Sequence, residues 1–222
     1  MNKDFILRLT KYKRLLYKLK ALGFERVFSN NLGDAISVTP ALVRKDFSIL
    51  NLPGNKRGGY NIDTLIEKLD KILGRDRQQQ VIVVGCGRIG TALMEYSGFN
   101  TDGIEIIAGF DIHPEKVSTS SGIPIHSMDE LEDYIKEKDI LVAIITVPDS
   151  EASKVMDRLI DAGIRGILNF APVELKCTRP DCPYSTTIHN VNLALELEHI
   201  FYQVNSQEAE AESEAEKQAP ES

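Results

Sequence analysis

A chain of 222 residues with 42% hydrophobic residues has the size and composition of two small domains with buried cores. It contains no apolar run near the roughly 18 residues of a membrane span, and its amino terminus lacks the apolar segment of a signal peptide, so we expect a cytoplasmic protein. The net charge is −7, but residues 1–60 carry 12 Lys and Arg against 4 Asp and Glu, which leaves −15 for the remainder. This asymmetry favours a polyanionic partner for the amino-terminal part, although a solvated helix face would give the same balance.

The first predicted elements are helices. The first helix carries leucines at helical spacing on one face and Lys and Arg on the other, and Gly23 ends it as a C-terminal cap. A short second helix follows, with Ser29 as its expected N-cap, and Ser37–Val38 form a turn. After the third helix, a fourth amphipathic helix is predicted, with Asp63 as its cap and Gly74 at its end.

The third helix has the features of a DNA-recognition helix. Thr39 supplies an N-cap oxygen, Pro40 suits the first helical position, and the helix is expected to reach about Leu50. Its candidate DNA contacts are Thr39, Arg44, Lys45 and Ser48. In a helix-turn-helix, an arginine here can read guanine with two donors, while Lys45 reads a base or holds a phosphate. A three-helix bundle with a basic surface would have a similar pattern.

A basic, glycine-rich segment after the third helix is predicted to form a wing. Its candidate DNA contacts are Lys56, Arg57, Gly58, Gly59 and Tyr60. The glycines would let the backbone approach the sugar-phosphate wall, and Lys56 or Arg57 would enter the minor groove. We therefore predict a winged-helix DNA-binding domain over residues 1–74, followed by an interdomain linker over residues 75–80.

An apolar strand over residues 81–84 leads directly into a GxGxxG sequence. This sequence comprises Gly85, Cys86, Gly87, Arg88, Ile89 and Gly90. Its first glycine permits a tight turn, the second lets the backbone approach a diphosphate, and the third packs the following helix on the strand. The diphosphate would lie at the helix N-terminus, close to Arg88. A second strand ends in Asp111, whose carboxylate would accept from the ribose hydroxyls and repel a 2′-phosphate, so we expect NAD(H) rather than NADP(H).

Continued alternation of strands and helices predicts an α/β fold with a Rossmann-type, doubly wound parallel sheet over residues 81–190. Further strands are expected around residues 123–125, 140–146 and 164–170, with helices over residues 127–136 and from residue 149 to about residue 163. Two strand ends supply further candidates for binding NADH or NAD+, namely Thr146, Val147, Pro148, Asn169 and Phe170. Ligands bind at this carboxyl edge of such sheets, although ordinary strand-to-loop turns would give the same residues.

The end of the chain predicts a helix and an acidic tail. Residues 191–205 form an amphipathic helix with too much apolar surface to lie free, so it packs on its own domain or reaches into a twofold mate. Residues 206–222 contain six Glu and one Lys and are expected to be disordered. Only about fifty residues follow Asn169, too few for a catalytic lobe, and the four histidines form no catalytic motif. We therefore expect a sensor rather than an enzyme.

Nearly the whole chain to about residue 201 resembles the Rex family of redox-sensing transcriptional repressors. The motifs that carry this resemblance are co-linear and lie at residues 39–46, 59–60, 85–90, 96–99, 146–148 and 166–172. The resemblance implies a homodimer with a carboxyl-terminal helix exchanged between subunits. It also implies binding to a palindromic operator and release when NADH binds. From the residues themselves no metal site is expected, because three cysteines are too few and too unevenly spaced for a four-ligand zinc site.

Three features depart from the family pattern. The wing sequence Lys56-Arg57-Gly58 lacks the apolar residue that commonly lies between glycines there, and Asn192, which cannot form an ion pair, stands where Asp is common. The segment Cys177–Cys182 is longer than usual. A disulfide across this segment, or oxidation of Cys86, would add thiol sensing to nucleotide sensing.

Two other functions fit parts of the sequence. An NAD-dependent oxidoreductase with a basic dimerisation arm would share the glycine-rich turn, and turnover of a small carbonyl substrate would identify it. A CoA-binding module would have a related Rossmann domain, but Asp111 argues against that ligand.

Overall fold

The computed structural model describes residues 3–52, 58–74, 79–101, 103–178 and 186–218. The chain divides into two compact units, Met1–Gln78 and Gln79–Ser222. The boundary falls within the predicted linker, although the first strand of the second unit already begins at Gln79. Among the helices in these ranges, none is both long and apolar enough to span a membrane.

The first unit is a helical domain with a two-stranded sheet. Its elements are α1 (Lys3–Ala21), β1 (Arg26–Val27), α2 (Ser29–Ile36), α3 (Pro40–Ile49), β2 (Tyr60–Asn61) and α4 (Ile62–Ile72). Strands β1 and β2 pair antiparallel, with Val27 opposite Tyr60. Phe47 of α3 lies at the centre of the core. Its ring is edge-on to the rings of Tyr12 and Tyr60, with distances between ring centroids of 5.2 Å and 4.9 Å. The apolar face of α3 is therefore fixed inside the domain while its opposite face is exposed.

The caps of these helices agree with the prediction at one of three places. At α3 the Thr39 side chain accepts a hydrogen bond from the Leu42 amide at 3.2 Å, as predicted. At α2 the predicted Ser29 cap is wrong, because Ser29 is the first helical residue and the N-cap position is occupied by Phe28. At α4 the cap is Asn61 rather than the predicted Asp63. In both cases a neighbouring residue had the extended backbone that an N-cap requires.

The second unit is the predicted doubly wound sheet. Its elements are β3 (Gln79–Val84), α5 (Arg88–Met94), α6 (Gly98–Thr101), β4 (Ile104–Asp111), β5 (Ile125–Ser127), α7 (Leu131–Lys138), β6 (Val142–Ile145), α8 (Asp149–Ala162), β7 (Gly166–Asn169), β8 (Thr187–Asn190) and α9 (Leu193–Gln218). The strand order is β5-β4-β3-β6-β7-β8, and every pair is parallel. This is the Rossmann order, and it confirms the predicted fold class.

Both faces of this sheet are covered by apolar side chains, as expected for a parallel sheet. Successive residues of β3 point to opposite faces, so Ile82 and Val84 pack with α7 and α8 while Val81 and Val83 pack with Met94 of α5. An apolar run without alternation is therefore what a central strand of this fold requires.

The outer elements differ from the sequence prediction. Strand β5 and helix α7 each begin later than expected, and a 3-10 turn over Met128–Glu130 with a capping box at Ser127 separates them. Strand β8 was not predicted. Helix α9 continues to Gln218, whereas the sequence predicts a helix to residue 205 and a disordered tail from residue 206. These residues are rich in Ala, Glu and Gln, which have high helix propensity.

Candidate functional sites

A cleft of about 680 Å³ opens at the carboxyl ends of the central strands of the sheet. It lies where the strand order reverses between β3 and β6, the position at which such sheets bind ligands. Nine of the predicted nucleotide-binding residues line it: Gly85, Gly87, Arg88, Ile89, Asp111, Thr146, Val147, Pro148 and Phe170. The structure therefore brings residues from four separate segments of the sequence to one cavity.

The glycine-rich turn after β3 is packed tightly at two glycines and open at the third. Gly85 has a φ of +93°, and a Cβ there would lie 2.8 Å from the Thr146 carbonyl carbon. A Cβ at Gly90 would overlap the carbonyl oxygen of Gly85, whereas at Gly87 it would meet nothing within 4 Å. Gly85 and Gly90 thus allow close packing within the protein, while Gly87 leaves space toward the cleft.

The Asp111 carboxylate is held at the rim of the cleft by backbone amides. Its Oδ2 accepts from the Cys86 amide at 2.8 Å and its Oδ1 accepts from the His113 amide at 2.9 Å. A carboxylate has about four lone-pair positions, so both oxygens keep acceptor capacity for a ligand. The sequence predicts the position of Asp111 but not these amide donors, because they depend on how the glycine-rich turn meets the end of β4.

Asn169 and Cys86 lie behind the cleft wall instead of lining it, as does Gly90. The Asn169 side chain is fully buried, donates to the Val173 carbonyl at 2.7 Å and accepts from the Ala171 amide at 2.9 Å. It thereby fixes the loop that follows β7, and this loop carries a wall residue of the cleft, Pro172.

The environment of Cys86 disfavours thiol chemistry. Its side chain is buried, and burial together with the charge of Asp111 raises the pKa of the thiol to about 12. Because the thiolate is the reactive species, this thiol is poorly suited to oxidation. Cys177 is partly buried against the core next to α7 and α8, and Cys182 lies outside the described residues.

Sequence reasoning missed an arginine in the cleft. The guanidinium of Arg158 in α8 donates to both carboxylate oxygens of Glu132 in α7 and, at 2.6 Å, to the Met128 carbonyl. This pair lowers the pKa of Glu132 and raises that of Arg158. The other lining residues outside the predicted set are Phe110, Ile112, His113, Met128, Glu151, Lys154, Val155 and Pro172. Helical periodicity shows that α8 is amphipathic but not which of its polar residues face a ligand.

In the first unit, helix α3 presents the predicted contacts on one surface. Thr39, Arg44, Lys45 and Ser48 are all exposed. The opposite face is anchored through Asp46, which is 1% exposed and accepts from Arg8 at 2.7 and 2.9 Å and from the Tyr12 hydroxyl at 3.0 Å. Burial beside this carboxylate raises the pKa of Tyr12, so the hydroxyl stays protonated and donates.

The base of the predicted wing is held by a hydrogen bond and by strand pairing. Arg26 donates to the Gly58 carbonyl at 2.6 Å, and Tyr60 pairs with Val27. Gly59 has a φ of +62°, and a Cβ there would lie 2.7 Å from the Val27 carbonyl oxygen. The predicted contacts Lys56 and Arg57 lie outside the described residues.

Two family models match this chain. A model described as a putative DNA-binding protein N-terminus matches residues 3–48, and one described as a CoA binding domain matches residues 76–173. The two matches fall on the two structural units.

Full-length relatives and solved structures are also similar to this chain. The redox-sensing transcriptional repressor Rex of Listeria monocytogenes serovar 1/2a is 37% identical over 206 residues, covering 92% of this chain and 94% of the relative. Rex of Bacillus subtilis is 39% identical over 196 residues, covering 88% of each chain. A structure of RSP with NAD+ and operator DNA has a TM-score of 0.84 at 30% identity and covers 97% of this chain and 98% of RSP. A structure of RSP with NADH has a TM-score of 0.78 at 30% identity and covers 96% of this chain and 98% of RSP.

The identity extends through both units, so it concerns the combination of a DNA-binding domain and a Rossmann domain and not the Rossmann domain alone. The relatives are repressors, which sets aside the oxidoreductase alternative. This chain belongs to the Rex family of redox-sensing transcriptional repressors.

Proposed function

We propose that this chain acts in the cytoplasm as a homodimeric repressor that binds a palindromic operator and is released by NADH. The observation that carries the proposal is the pairing, in one chain, of an exposed recognition helix with a dinucleotide cleft. RSP, which is similar over nearly the whole chain, has been solved with NAD+ and operator DNA and with NADH.

The chemistry of the cleft supports a preference for NADH over NAD+. Apolar side chains form much of its wall, including Val147, Pro148 and Phe170. The dihydronicotinamide ring of NADH is neutral, whereas the ring of NAD+ is cationic and costly to bury against apolar groups without a partner. At the rim, the Asp111 carboxylate would accept from the ribose hydroxyls and disfavour a 2′-phosphate.

Helix α9 supports the homodimer. Apolar residues at spacings of four, three and one along this helix share one face, and each is more than half exposed: Leu193, Leu197, Ile200 and Phe201. In a twofold dimer this face would be covered by the partner subunit. Two recognition helices related by the twofold axis would then reach successive major grooves about 34 Å apart.

Replacing Ile200 by Asp should weaken the dimer, because it places a charge in the apolar face of α9. We expect analytical ultracentrifugation to give a mainly monomeric species at micromolar concentration. The matched control is Leu195→Asp, which makes the same change on the other side of the helix at a residue that is 58% exposed. A dimer unaffected by Ile200→Asp, or equally weakened by both variants, would argue against this interface.

The function is tested by fluorescence anisotropy with a duplex that the full chain selects from a randomised library. NADH and NAD+ are titrated separately at fixed salt, because the phosphate contacts make affinity salt-dependent. We expect NADH to release the duplex at much lower concentration than NAD+. Shifting occupancy of the released form from 1% to 99% requires roughly 10⁴-fold preferential binding to that form.

Three results would count against the proposal. DNA binding that is indifferent to both nucleotides would refute the switch. Failure to select any duplex while NADH still binds would refute operator binding by this chain. Release by CoA in place of NADH would make the Rossmann unit a CoA sensor, in line with the description of the matching domain family.

A further inference from the structure

Arg44 and Lys45 are neighbours on the exposed surface of α3, but the structure treats them differently. Nη1 of Arg44 donates to Oγ of Ser29 at 3.1 Å. Ser29 is the first residue of α2, so this hydrogen bond draws the guanidinium back toward the preceding helix. Lys45 is exposed and forms no ion pair with any residue of the described ranges. The Arg44 guanidinium is therefore held against α2, whereas the Lys45 ammonium extends from α3 without such a contact.

The rotation of α3 about its own axis is fixed, so these directions are not interchangeable. Successive helical residues point about 100° apart because the helix has 3.6 residues per turn. Asp46 is held inward by Arg8 and Tyr12, and Phe47 is buried in the core. Exchanging the directions of residues 44 and 45 would require α3 to rotate by about 100°, which would break these buried contacts.

The docking geometry of a helix-turn-helix then separates the two roles. In this motif the second helix lies in the major groove, while the first helix crosses the DNA backbone. A guanidinium that is hydrogen-bonded to the first helix lies on the backbone side of the groove. An untethered lysine on the same surface remains available for the base edges.

We infer that Arg44 binds a DNA phosphate, that Ser29 is the positioning residue that holds its guanidinium there, and that Lys45 reads a base. The inference rests on the proposed repressor function and reverses the expectation that the arginine reads guanine. Ser29 becomes a functional residue of the DNA site, in place of the capping role that the sequence predicts for it.

The two roles have different signatures in solution. A phosphate contact carries no sequence information. Each phosphate contact that is lost reduces the magnitude of the negative slope of log affinity against log salt concentration by about 0.9. A base contact adds to the affinity for the operator alone, so its loss narrows the ratio between the operator and unrelated DNA. We call the ratio of the affinity for the operator to the affinity for unrelated DNA the specificity ratio. The affinity, the salt slope and the specificity ratio together separate a phosphate contact from a base contact.

The experiment compares full-length variants on the duplex selected by the wild-type chain and on a shuffled duplex of the same composition. Fluorescence anisotropy is recorded across a series of salt concentrations for Arg44→Ala, Lys45→Ala, Ser29→Ala and Ser29→Thr. Lys18→Ala, which removes an exposed lysine of α1, is the control for loss of charge.

We expect Arg44→Ala to weaken binding to both duplexes by the same factor, within about twofold, and to lower the salt slope by about 0.9 for each recognition helix bound. Lys45→Ala should reduce the specificity ratio at least about fivefold. Ser29→Ala should weaken both duplexes less than Arg44→Ala does, and Ser29→Thr, which keeps the hydroxyl, should restore binding. Lys18→Ala should leave the ratio unchanged.

The inference is overturned if Arg44→Ala collapses the specificity ratio while the salt slope is kept, because Arg44 would then read a base. It is also overturned if Lys45→Ala weakens both duplexes equally, or if Ser29→Ala binds like the wild type. If the wild-type chain selects no duplex, the repressor function itself fails along with these roles. If the wild type selects a duplex, a contrary result in the variants overturns the division of roles alone.

Discussion

Replacing Arg8 by Ala would leave a buried carboxylate without its ionic partner. Asp46 is 1% exposed, and Arg8 provides two of the three hydrogen bonds that its carboxylate accepts, with Tyr12 as the third donor. Removing one partner of a buried ion pair costs about 3–5 kcal/mol because the remaining charge is desolvated and uncompensated. The Arg8 side chain is 21% exposed, so solvent has some access and the lower end, about 3 kcal/mol, applies.

The reverse substitution should be milder. In Asp46→Ala the buried Tyr12 hydroxyl loses its acceptor, but the guanidinium of Arg8 can turn to water from its partly exposed position. We expect a cost of about 1–2 kcal/mol for the lost hydrogen bonds. The double variant removes both charges, so its cost should fall short of the sum of the single costs by about 2 kcal/mol.

Hydrogen exchange with mass spectrometry can measure these costs in the full chain. Peptides covering α3 report on the first unit, and peptides covering α8 in the second unit provide an internal reference. Each loss of about 1.4 kcal/mol in stability raises the equilibrium constant for unfolding tenfold. A loss of about 3 kcal/mol in Arg8→Ala should therefore accelerate amide exchange in α3 by about 100-fold and leave exchange in α8 unchanged. The matched control is Lys11→Ala, at an exposed position of the same helix. Equal acceleration by Arg8→Ala and Asp46→Ala, or additive costs in the double variant, would refute the reasoning.

The remaining predictions concern the nucleotide cleft. Gly90→Ala should lower the unfolding free energy by about 1–3 kcal/mol, because its Cβ would overlap the Gly85 carbonyl oxygen. Gly87→Ala should keep the wild-type Tm, because its Cβ meets no protein atom, but it should weaken NADH binding at least about tenfold by filling space that the diphosphate needs. Thermal unfolding and NADH fluorescence titration check the pair, and wild-type NADH affinity in Gly87→Ala would contradict it. Burial, aided by the Asp111 charge, raises the pKa of Cys86 to about 12, so alkylation by iodoacetamide should be slow at pH 8 and accelerate about tenfold per pH unit up to that value. Rapid labelling of folded protein at pH 8, followed by peptide mass spectrometry, would show that the thiol is accessible and ionised.

Local signals predicted the central elements well because sequence and packing agree there. The apolar residues of β3 must be buried on both faces of the sheet, and the glycine spacing after it follows from the close contact of Gly90 with Gly85. At α3, Thr39 and Pro40 are consecutive start signals, an N-cap oxygen followed by a proline at the first helical position. Such positions depend on a few consecutive residues, so a single sequence is enough to identify them.

Elements that depend on distant partners were missed. Strand β8 contains Thr187, His189 and Asn190 and has little apolar character, and it is a strand because it pairs with β7. The link between Glu132 and Arg158 joins two helices whose relative position appears only in the folded sheet. The Ser29 hydroxyl, in turn, bonds a side chain fifteen positions away instead of its own helix terminus.

The buried amide of Asn169 has a consequence for the speed of the sensor. It holds the loop carrying Pro172 through contacts with Ala171 and Val173, and it also donates to the Asn190 side chain at 2.9 Å. Because this loop is already ordered before the nucleotide binds, binding loses little conformational entropy of the loop. This loop then needs no ordering step during nucleotide exchange, and we expect occupancy of the cleft to follow changes in the cellular nucleotide pool rapidly.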